Sequence, residues 1–584
     1  MEPSVTGSRS AERVDAITLE VIRHGLVAAA EQMAVSIERS AHSQVIREML
    51  DYSTAVFDLS GGILAQSTRI PMHLNSMTRA LRTILAGRFP LDAWGEGDVY
   101  ATNDPYSGGQ HLPDIQTFAP VFHEGRCVAI TGTLGHHLDV GGRGPGSYGA
   151  DATELYQEGF RIPPSRLVTA GVPNELFFPL FEANIRVPAK TGADLRAQVA
   201  ALSIGAADVI RLTRRYGSET MLAVTTELVA TSERRMRAAI GALPEGTFHA
   251  EDTVDGDGLD DVPLPVRVAV HRDGDDLVVD FSGTAPQTRG PINCPIASTE
   301  SATYYAVTAV LDPGVPPNDG AYRPIRVIAP EGTVLNPRFP APVVGRNVFT
   351  HRVANVVMAA LGEALPARAV AAYYGNSNVY VISAYDADGQ ANVQFEIAVG
   401  GWGGRPGKDG PDCLSAGIHN LANNPVELVE NEFPLRILSY GLRPDSGGAG
   451  EFRGGLGAAR VFEVLVDCEL STQFDRVKYP APGLRGGGPG ATARIVVERG
   501  GVAEDLPGKT MGHRLRRGDR VTILSQGGGG LGDPRKRSPE ALARDLAQGK
   551  VTPEAAARDY GRPEQEPPGS PTPPPHAHRP KVGL

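Results

Sequence analysis

The sequence predicts an α+β protein of several domains, with mixed β-sheets and helices joined by glycine-rich loops. Three observations carry that reading. Helical periodicity fills the N-terminal stretch and returns between about 171 and 240, whereas residues 245–285 alternate apolar and polar at the period of a strand. A length of 584 residues corresponds to about three or four domains at roughly 150 residues each, and 41% hydrophobic content is enough for real cores. The 69 glycines often fall in pairs, such as Gly108-Gly109, Gly141-Gly142, Gly400-Gly401 and Gly403-Gly404. Such pairs suit tight turns and close approaches of backbone to backbone or ligand.

Taken in order, Ile17, Val21, Leu26, Val27, Ala30, Met33, Val35 and Ile37 recur at helical spacing and predict one long helix from Asp15 to about His42. Residues 51–58 read as a strand, Ser60-Gly61-Gly62 as a hairpin turn, and residues 63–66 as the return strand. A helix follows near 76–85 and stops before Pro90. Residues 97–105 form a strand running into a turn, and strands at 117–122 and 128–133 are placed to pair across His123-Glu124-Gly125. Residues 147–170 lack a regular period, and 171–240 read as helical, with amphipathic spacing in 195–216 and 221–243. The largest composition break falls near residue 245. Beyond it, 300–312 and 350–365 read as helices, 376–399 as strands, 400–413 as a glycine-rich loop and 450–530 as short strands between glycine turns. A short helix at 538–547 precedes a proline-rich tail. The expected units are a disordered N-terminus at 1–13, a metal-site domain at 14–244, and a β-rich middle domain at 245–375. A glycine-rich β domain at 376–535, a helical segment at 536–563 and a disordered tail at 564–584 complete the chain.

The candidate chemistry lies between Asn103 and Gly142. Two polar blocks, His111-Leu-Pro-Asp114 and His136-His137-Leu-Asp139, flank a segment containing the apolar run Cys127-Val-Ala-Ile130. If the intervening segments form adjacent strands, the blocks meet at one end of a sheet. Imidazole combined with carboxylate suits Mn, Fe or Zn, whereas Ca and Mg prefer oxygen ligands alone. His111, Asp114 and His136 supply two nitrogens and one oxygen, a set that leaves coordination positions open for water or substrate. Asp51, at the opening of a strand, is a candidate fourth ligand. His137 and Asp139 are candidate catalytic groups, as substrate contacts or as partners that orient the ligands. The competing reading makes all of these turn residues and surface histidines. Asp104, before Pro105, reads as a turn-capping residue. Lone His42 and His73 read as structural, His351-Arg352 as a helix start, and Cys127 as a packing residue.

Several function classes are disfavoured. A net charge of −11 with no dominant basic run argues for solubility and against a nucleic-acid partner. No apolar stretch is long enough to span a bilayer, and the polar N-terminus lacks a signal core, so a cytoplasmic location is expected. Cys127, Cys294, Cys413 and Cys468 lie far apart and form neither a CxxC pair nor a disulfide framework. The glycine-rich run at 400–410 fails the phosphate-loop pattern because Asp409 follows Lys408, and the run at 527–534 has no lysine.

Five motifs together carry a specific resemblance. They are Glu38-Arg-Ser-Ala-His-Ser43 with Glu48-Met-Leu-Asp51-Tyr-Ser53, and Asn103 to Asp114. The others are Gly135-His-His-Leu-Asp-Val-Gly-Gly142, Glu158-Gly-Phe-Arg-Ile-Pro-Pro164 and Gly527 to Pro534. Over nearly all of 14–562 the chain resembles the B-type component of the ATP-dependent hydantoinase/oxoprolinase family (hydantoinase B), which includes the acetone carboxylase alpha subunit and a caprolactamase component. The resemblance implies a divalent transition metal held by His111, Asp114 and His136, with Asp51 as the fourth ligand. It implies a separate hydantoinase A-type partner that binds ATP and phosphorylates the carbonyl oxygen of a cyclic amide, so the assembly is a hetero-oligomer. A hydantoin is the leading substrate and a lactam such as 5-oxoproline the next. The alternatives are a component of an acetone carboxylase-type ketone carboxylase, and a non-catalytic scaffold for the ATP-binding partner.

Overall fold

Alternation at a period of two sorts the first half of the chain onto the two faces of one sheet. The computed structural model describes residues 14–561, so the expected disordered segments 1–13 and 564–584 lie outside the described residues. A seven-stranded sheet runs in the order β2-β1-β5-β4-β3-β6-β7. Its strands are β1 (Tyr52–Phe57), β2 (Ile63–Gln66), β3 (Val99–Thr102), β4 (Asp114–His123), β5 (Arg126–His136), β6 (Ser165–Thr169) and β7 (Val172–Pro173). The hairpin expected across 123–125 is present, and both its strands are longer than the apolar pattern alone marks.

On β1, Tyr52 and Val56 enter a core built with the helix Ala16–Ser40, while Ala55 and Phe57 enter a second core on the opposite face. Asp15 caps the Ala16–Ser40 helix, accepting from the amides of Ile17 and Thr18 at 3.0 and 2.9 Å. The helix Pro188–Tyr216 packs beside it so closely that a Cβ on Gly205 would lie 2.5 Å from the Met33 sulfur. The 171–240 stretch is not wholly helical, because Val172–Pro173 pairs with β6 as an edge strand. Helices Phe177–Ala183, Pro188–Tyr216 and Ser218–Gly241 account for the rest.

The second core continues without a break into the next sheet, of order β11-β10-β9-β8. These strands are β8 (Thr247–Val254), β9 (Leu264–Asp273), β10 (Asp276–Asp280) and β11 (Ile325–Ile328). Helices Leu74–Ala86, Ile296–Leu311 and Asn347–Ala364 fill the same core. The last of these is buried over most of its surface, including His351 and Arg352. Two further sheets complete the α+β fold, with orders β13-β12-β16-β19 and β14-β15-β20-β17-β18. Their strands are β12 (Val379–Tyr385), β13 (Ala391–Ile397), β14 (Leu435–Leu442), β15 (Ala458–Val464), β16 (Cys468–Gln473), β17 (Arg494–Arg499), β18 (Val502–Leu506), β19 (Lys509–Leu515) and β20 (Arg520–Leu524). Among the described residues no helix is long and apolar enough to cross a membrane.

The glycine-rich runs have a packing cause. Segments near 400–404, 447–457, 483–490 and 527–532 interleave backbone against backbone, through bonds such as Gly528 N–H to Gly455 O at 3.0 Å and Gly455 N–H to Trp402 O at 2.7 Å. A Cβ on Gly401 would sit 1.8 Å from the Gly455 carbonyl oxygen, and one on Gly528 would sit 2.0 Å from that of Trp402. Backbone cannot swing aside as a side-chain end can, so overpacking there costs the upper part of the usual range. Gly528→Ala is expected to destabilise the protein by about 3 kcal/mol. Gly441→Ala, where a Cβ meets open space, is expected to stay within about 0.5 kcal/mol. Denaturant titration of both variants checks this, and equal stability would show that the interleaved backbone yields.

Candidate metal centre

Three neighbouring strands bring the polar residues together. Asp51 immediately precedes β1, Asp114 opens β4, and His136 closes β5. β5 lies between β1 and β4, antiparallel to both, so its C-terminal end meets the N-terminal ends of the other two. Asp114 is the register partner of His136, and the His136 amide donates to the Asp51 carbonyl at 3.0 Å. His111 arrives on the turn before β4, where the Asp114 amide donates to its carbonyl at 3.0 Å. The two blocks therefore meet at one sheet end.

The ligand atoms form a tight triangle. His111 Nε2 lies 2.9 Å from Asp114 Oδ1 and 3.2 Å from His136 Nδ1, and His136 Nδ1 lies 3.0 Å from the same Asp114 oxygen. These separations match the edge of an octahedron, about 3.0 Å for metal–donor bonds of about 2.1 Å. Hydrogen accounting supports the same reading. His111 Nδ1 donates to the Val344 carbonyl at 3.0 Å, and burial, with Arg346 nearby, pulls the ring down to about 4, so it is neutral near pH 7. Its Nε2 then carries a lone pair and faces a carboxylate oxygen, an arrangement that a cation between them relieves. His136 Nε2 is buried without a hydrogen-bond partner. The set thus fits a divalent transition metal, and His111, Asp114 and His136 can each offer one donor atom to it.

Supporting charges surround the triangle. Arg346 Nη2 donates to the outer Asp114 oxygen at 2.6 Å and to Gln110 at 2.7 Å. Burial alone would raise the Asp114 carboxyl, but His111 and Arg346 hold it well below the usual range. Glu158 Oε1 accepts from the amides of Val343 and Val344 at 2.7 and 2.8 Å and so fixes the strap that carries both the Val344 carbonyl and Arg346. Asp51 lines the same cavity, its carboxyl pushed up to about 6 by burial. The cavity, about 10 Å³, is also lined by His73, Tyr148, Asn347, Phe395 and His419. It has room for about one water molecule.

The strand pleat separates His136 from His137. His136 faces the cavity, while His137 points to the other side and bonds Gln198 of the Pro188–Tyr216 helix at 2.7 Å. Asp139 is also away from the cavity. Its carboxylate accepts from the amides of Gly141, Gly146 and Arg186 at 2.8, 2.9 and 3.0 Å and pairs with the Arg186 guanidinium at 3.2 Å, stapling the loop after β5. The structure therefore does not bring these two expected catalytic groups to the site. Asp104 caps its turn as the sequence suggests, accepting from the Tyr106 amide at 3.1 Å. Cys127 is only half-buried, and His42 is exposed.

Sequence reasoning missed Arg346, Asn347 and His419, and set aside His73, which sits 3.6 Å from Asp51. His73 belongs to a short turn whose local spacing resembles no ligand pattern, and the other three arrive from residues more than two hundred positions away.

The hydantoinase B/oxoprolinase family model matches residues 15–534. The chain belongs to the hydantoinase B/oxoprolinase family. Among its relatives, the B component of a putative D-/L-hydantoinase from Pseudomonas sp. (strain NS671) is 35% identical over 94% of this chain and 95% of its own length. The beta chain of the caprolactamase of Pseudomonas jessenii is 32% identical over 94% and 96%. 5-Oxoprolinase 1 of Arabidopsis thaliana is 30% identical, and the chain spans 43% of that longer protein. The crystal structure of the ATP-dependent caprolactamase from Pseudomonas jessenii superposes with a TM-score of 0.87 at 31% identity, covering 94% of this chain and 96% of that one. An acetone carboxylase structure shares the fold, with a TM-score of 0.87 at 20% identity.

In this hydantoinase B/oxoprolinase family member, Asp139→Ala is expected to cost about 2–3 kcal/mol of stability, because it strands buried amides and Arg186. Bound metal should be unchanged at temperatures where the variant is folded. Metal analysis of folded Asp139→Ala protein checks this, and metal loss would return Asp139 to the site.

Proposed function

We propose that this chain is the metal-bearing hydantoinase B-type component of an ATP-dependent hydrolase of cyclic amides, acting on a hydantoin or a lactam. A separate hydantoinase A-type partner binds ATP and phosphorylates the ring carbonyl oxygen. The observation that carries the reading is the convergence of Asp51, His111, Asp114 and His136 at one sheet end. It is supported by a relative over nearly the whole chain that is named an ATP-dependent caprolactamase.

His111, Asp114 and His136 would hold Mn, Fe or Zn, with Asp51 as fourth ligand. When bound, such an ion supplies Lewis acidity, which makes water a nucleophile near neutral pH and polarises an oxygen. The protein's own groups prepare that chemistry. The Val344 carbonyl holds His111 with its Nε2 lone pair toward the site, and Arg346 fixes the orientation of the Asp114 carboxylate. Tyr148 and Phe395 pack beside the His136 ring, at 6.3 and 5.3 Å between centroids, and exclude bulk water. His137 and Asp139 act as positioning residues for the strand end and its loop. Water adds to the carbon activated by phosphorylation, the ring C–N bond breaks, and phosphate leaves. Since the cavity has room for about one water, a ring substrate requires the walls to part.

The direct test is co-purification with the ATP-binding partner, with metal measured by mass spectrometry and activity measured on hydantoins, 5-oxoproline and caprolactam. Stoichiometric metal and ATP-dependent ring opening are expected. His111→Ala with Asp114→Ala should lose both. Full activity in that double variant would refute the metal role.

Metal uptake should also depend on pH in a set direction. In the metal-free chain Asp51 is protonated below about 6 and must lose that proton to ligate. Calorimetry in buffers of different ionisation enthalpy should therefore find more protons released on loading at pH 5.5 than at pH 8. Asp51→Asn should remove that residue's share, and an unchanged proton count would exclude Asp51 as a ligand.

A further inference from the structure

His351 looks like a mere helix start in the sequence, yet it is fully buried and belongs to a chain of hydrogen bonds that reaches the metal-site cavity. Tyr373 Oη lies 3.0 Å from His351 Nδ1 and 3.2 Å from the His351 carbonyl oxygen. His351 Nε2 lies 3.0 Å from Ser377 Oγ, which in turn lies 2.8 Å from Nε2 and 3.2 Å from Nδ1 of His419. His351, Tyr373 and Ser377 are essentially inaccessible, and His419 lines the cavity with Asp51, His111, Asp114 and His136.

The direction of this chain follows from its far end. A carbonyl can only accept, so the Tyr373 hydroxyl hydrogen is spent on the His351 carbonyl. Tyr373 Oη then accepts from His351 Nδ1–H. A neutral imidazole has one N–H, so His351 Nε2 holds a lone pair and accepts the Ser377 hydroxyl hydrogen. Ser377 Oγ accepts in turn from one nitrogen of His419, and the other His419 nitrogen keeps its lone pair. Burial disfavours the charged form of both rings, pulling His419 down to about 3 and His351 well below its ordinary value. The chain is therefore neutral, with one arrangement of hydrogens, and it ends at the cavity in an acceptor.

Because the cavity has room for about one water molecule, the donor that matches this acceptor is water. We propose that His419 is a catalytic residue that accepts a hydrogen bond from the attacking water and orients it, and that Ser377, His351 and Tyr373 are positioning residues that fix its tautomer. This inference rests on the hydrolase reading above. The water's O–H points to His419, which leaves an oxygen lone pair for the ring carbon.

The test uses the complex with its ATP-binding partner and a cyclic amide that the wild type hydrolyses. His419→Ala is expected to lower kcat roughly 100-fold, while KM stays within about twofold and metal content is unchanged. Ser377→Ala should lower kcat roughly tenfold, and Ser377→Thr, which keeps the hydroxyl, should restore most of it. Nitrogen-15 spectra of the metal-loaded complex should show His351 as the Nδ1–H tautomer and one neutral tautomer of His419, with a second His419 tautomer appearing in Ser377→Ala. A His419→Ala complex with intact metal and kcat within threefold of wild type would overturn the inference while leaving the hydrolase reading in place. Equal losses in Ser377→Ala and Ser377→Thr would reduce the chain to a structural role and also overturn it. A wild-type complex that binds metal but opens no cyclic amide would overturn the hydrolase reading first, and the water-orienting role with it.

Discussion

The buried carboxylate of Asp114 is the constraint around which the site is assembled. A carboxylate removed from water costs several kcal/mol unless each oxygen is matched. Here one oxygen takes the Arg346 guanidinium and the other faces two imidazoles. Each partner comes from a different part of the chain: a turn before β4, the end of β5, and the start of the Asn347–Ala364 helix. The sheet end, the strap bound by Glu158 and the first turn of that helix must therefore be in place together. This explains why one hydrophobic core runs unbroken from the first sheet into the second. The charge at the centre and the shared core impose the same arrangement of elements.

Two kinds of close packing keep that arrangement rigid. Behind the sheet, Gln198 ties the helix Pro188–Tyr216 to both central strands, donating to the Ile115 carbonyl at 3.0 Å and bonding His137. On the far side, the glycine-rich segments interleave with only backbone between them, and Gln526 and Asn378 carry hydrogen bonds from there to the edge of the cavity network. Glycine at these places removes the Cβ that would force the segments apart. The glycine content that at first suggested loops is thus a packing device that supports the third and fourth sheets.

Much of the site was legible in the sequence because its first ligands are local. His111 and Asp114 share one turn, and strand alternation carries the chain from Asp114 to His136 in register. The same alternation could have placed His137 on the opposite face, and following it strictly through β5 would have removed that residue from the catalytic candidates. Asp139 was misleading for a different reason. An aspartate before a glycine pair serves a ligand site or a loop staple equally well, and only its contacts with Gly141, Gly146 and Arg186 separate the two. Arg346 and His419 carried no local signal, because tertiary packing alone brings them to β4. The fold class was readable from periodicity, whereas β7 was lost inside a helical window because a two-residue edge strand is too short to show a period.

The central claim is that two imidazoles and buried carboxylates bind one divalent ion at the end of this sheet. X-ray absorption on the metal-loaded complex tests it most directly, because imidazole ligands leave a multiple-scattering signature that water and carboxylate do not. The account predicts two histidine nitrogens in the first shell, one of them lost in His136→Ala. A shell of oxygen donors alone in the wild type would contradict it.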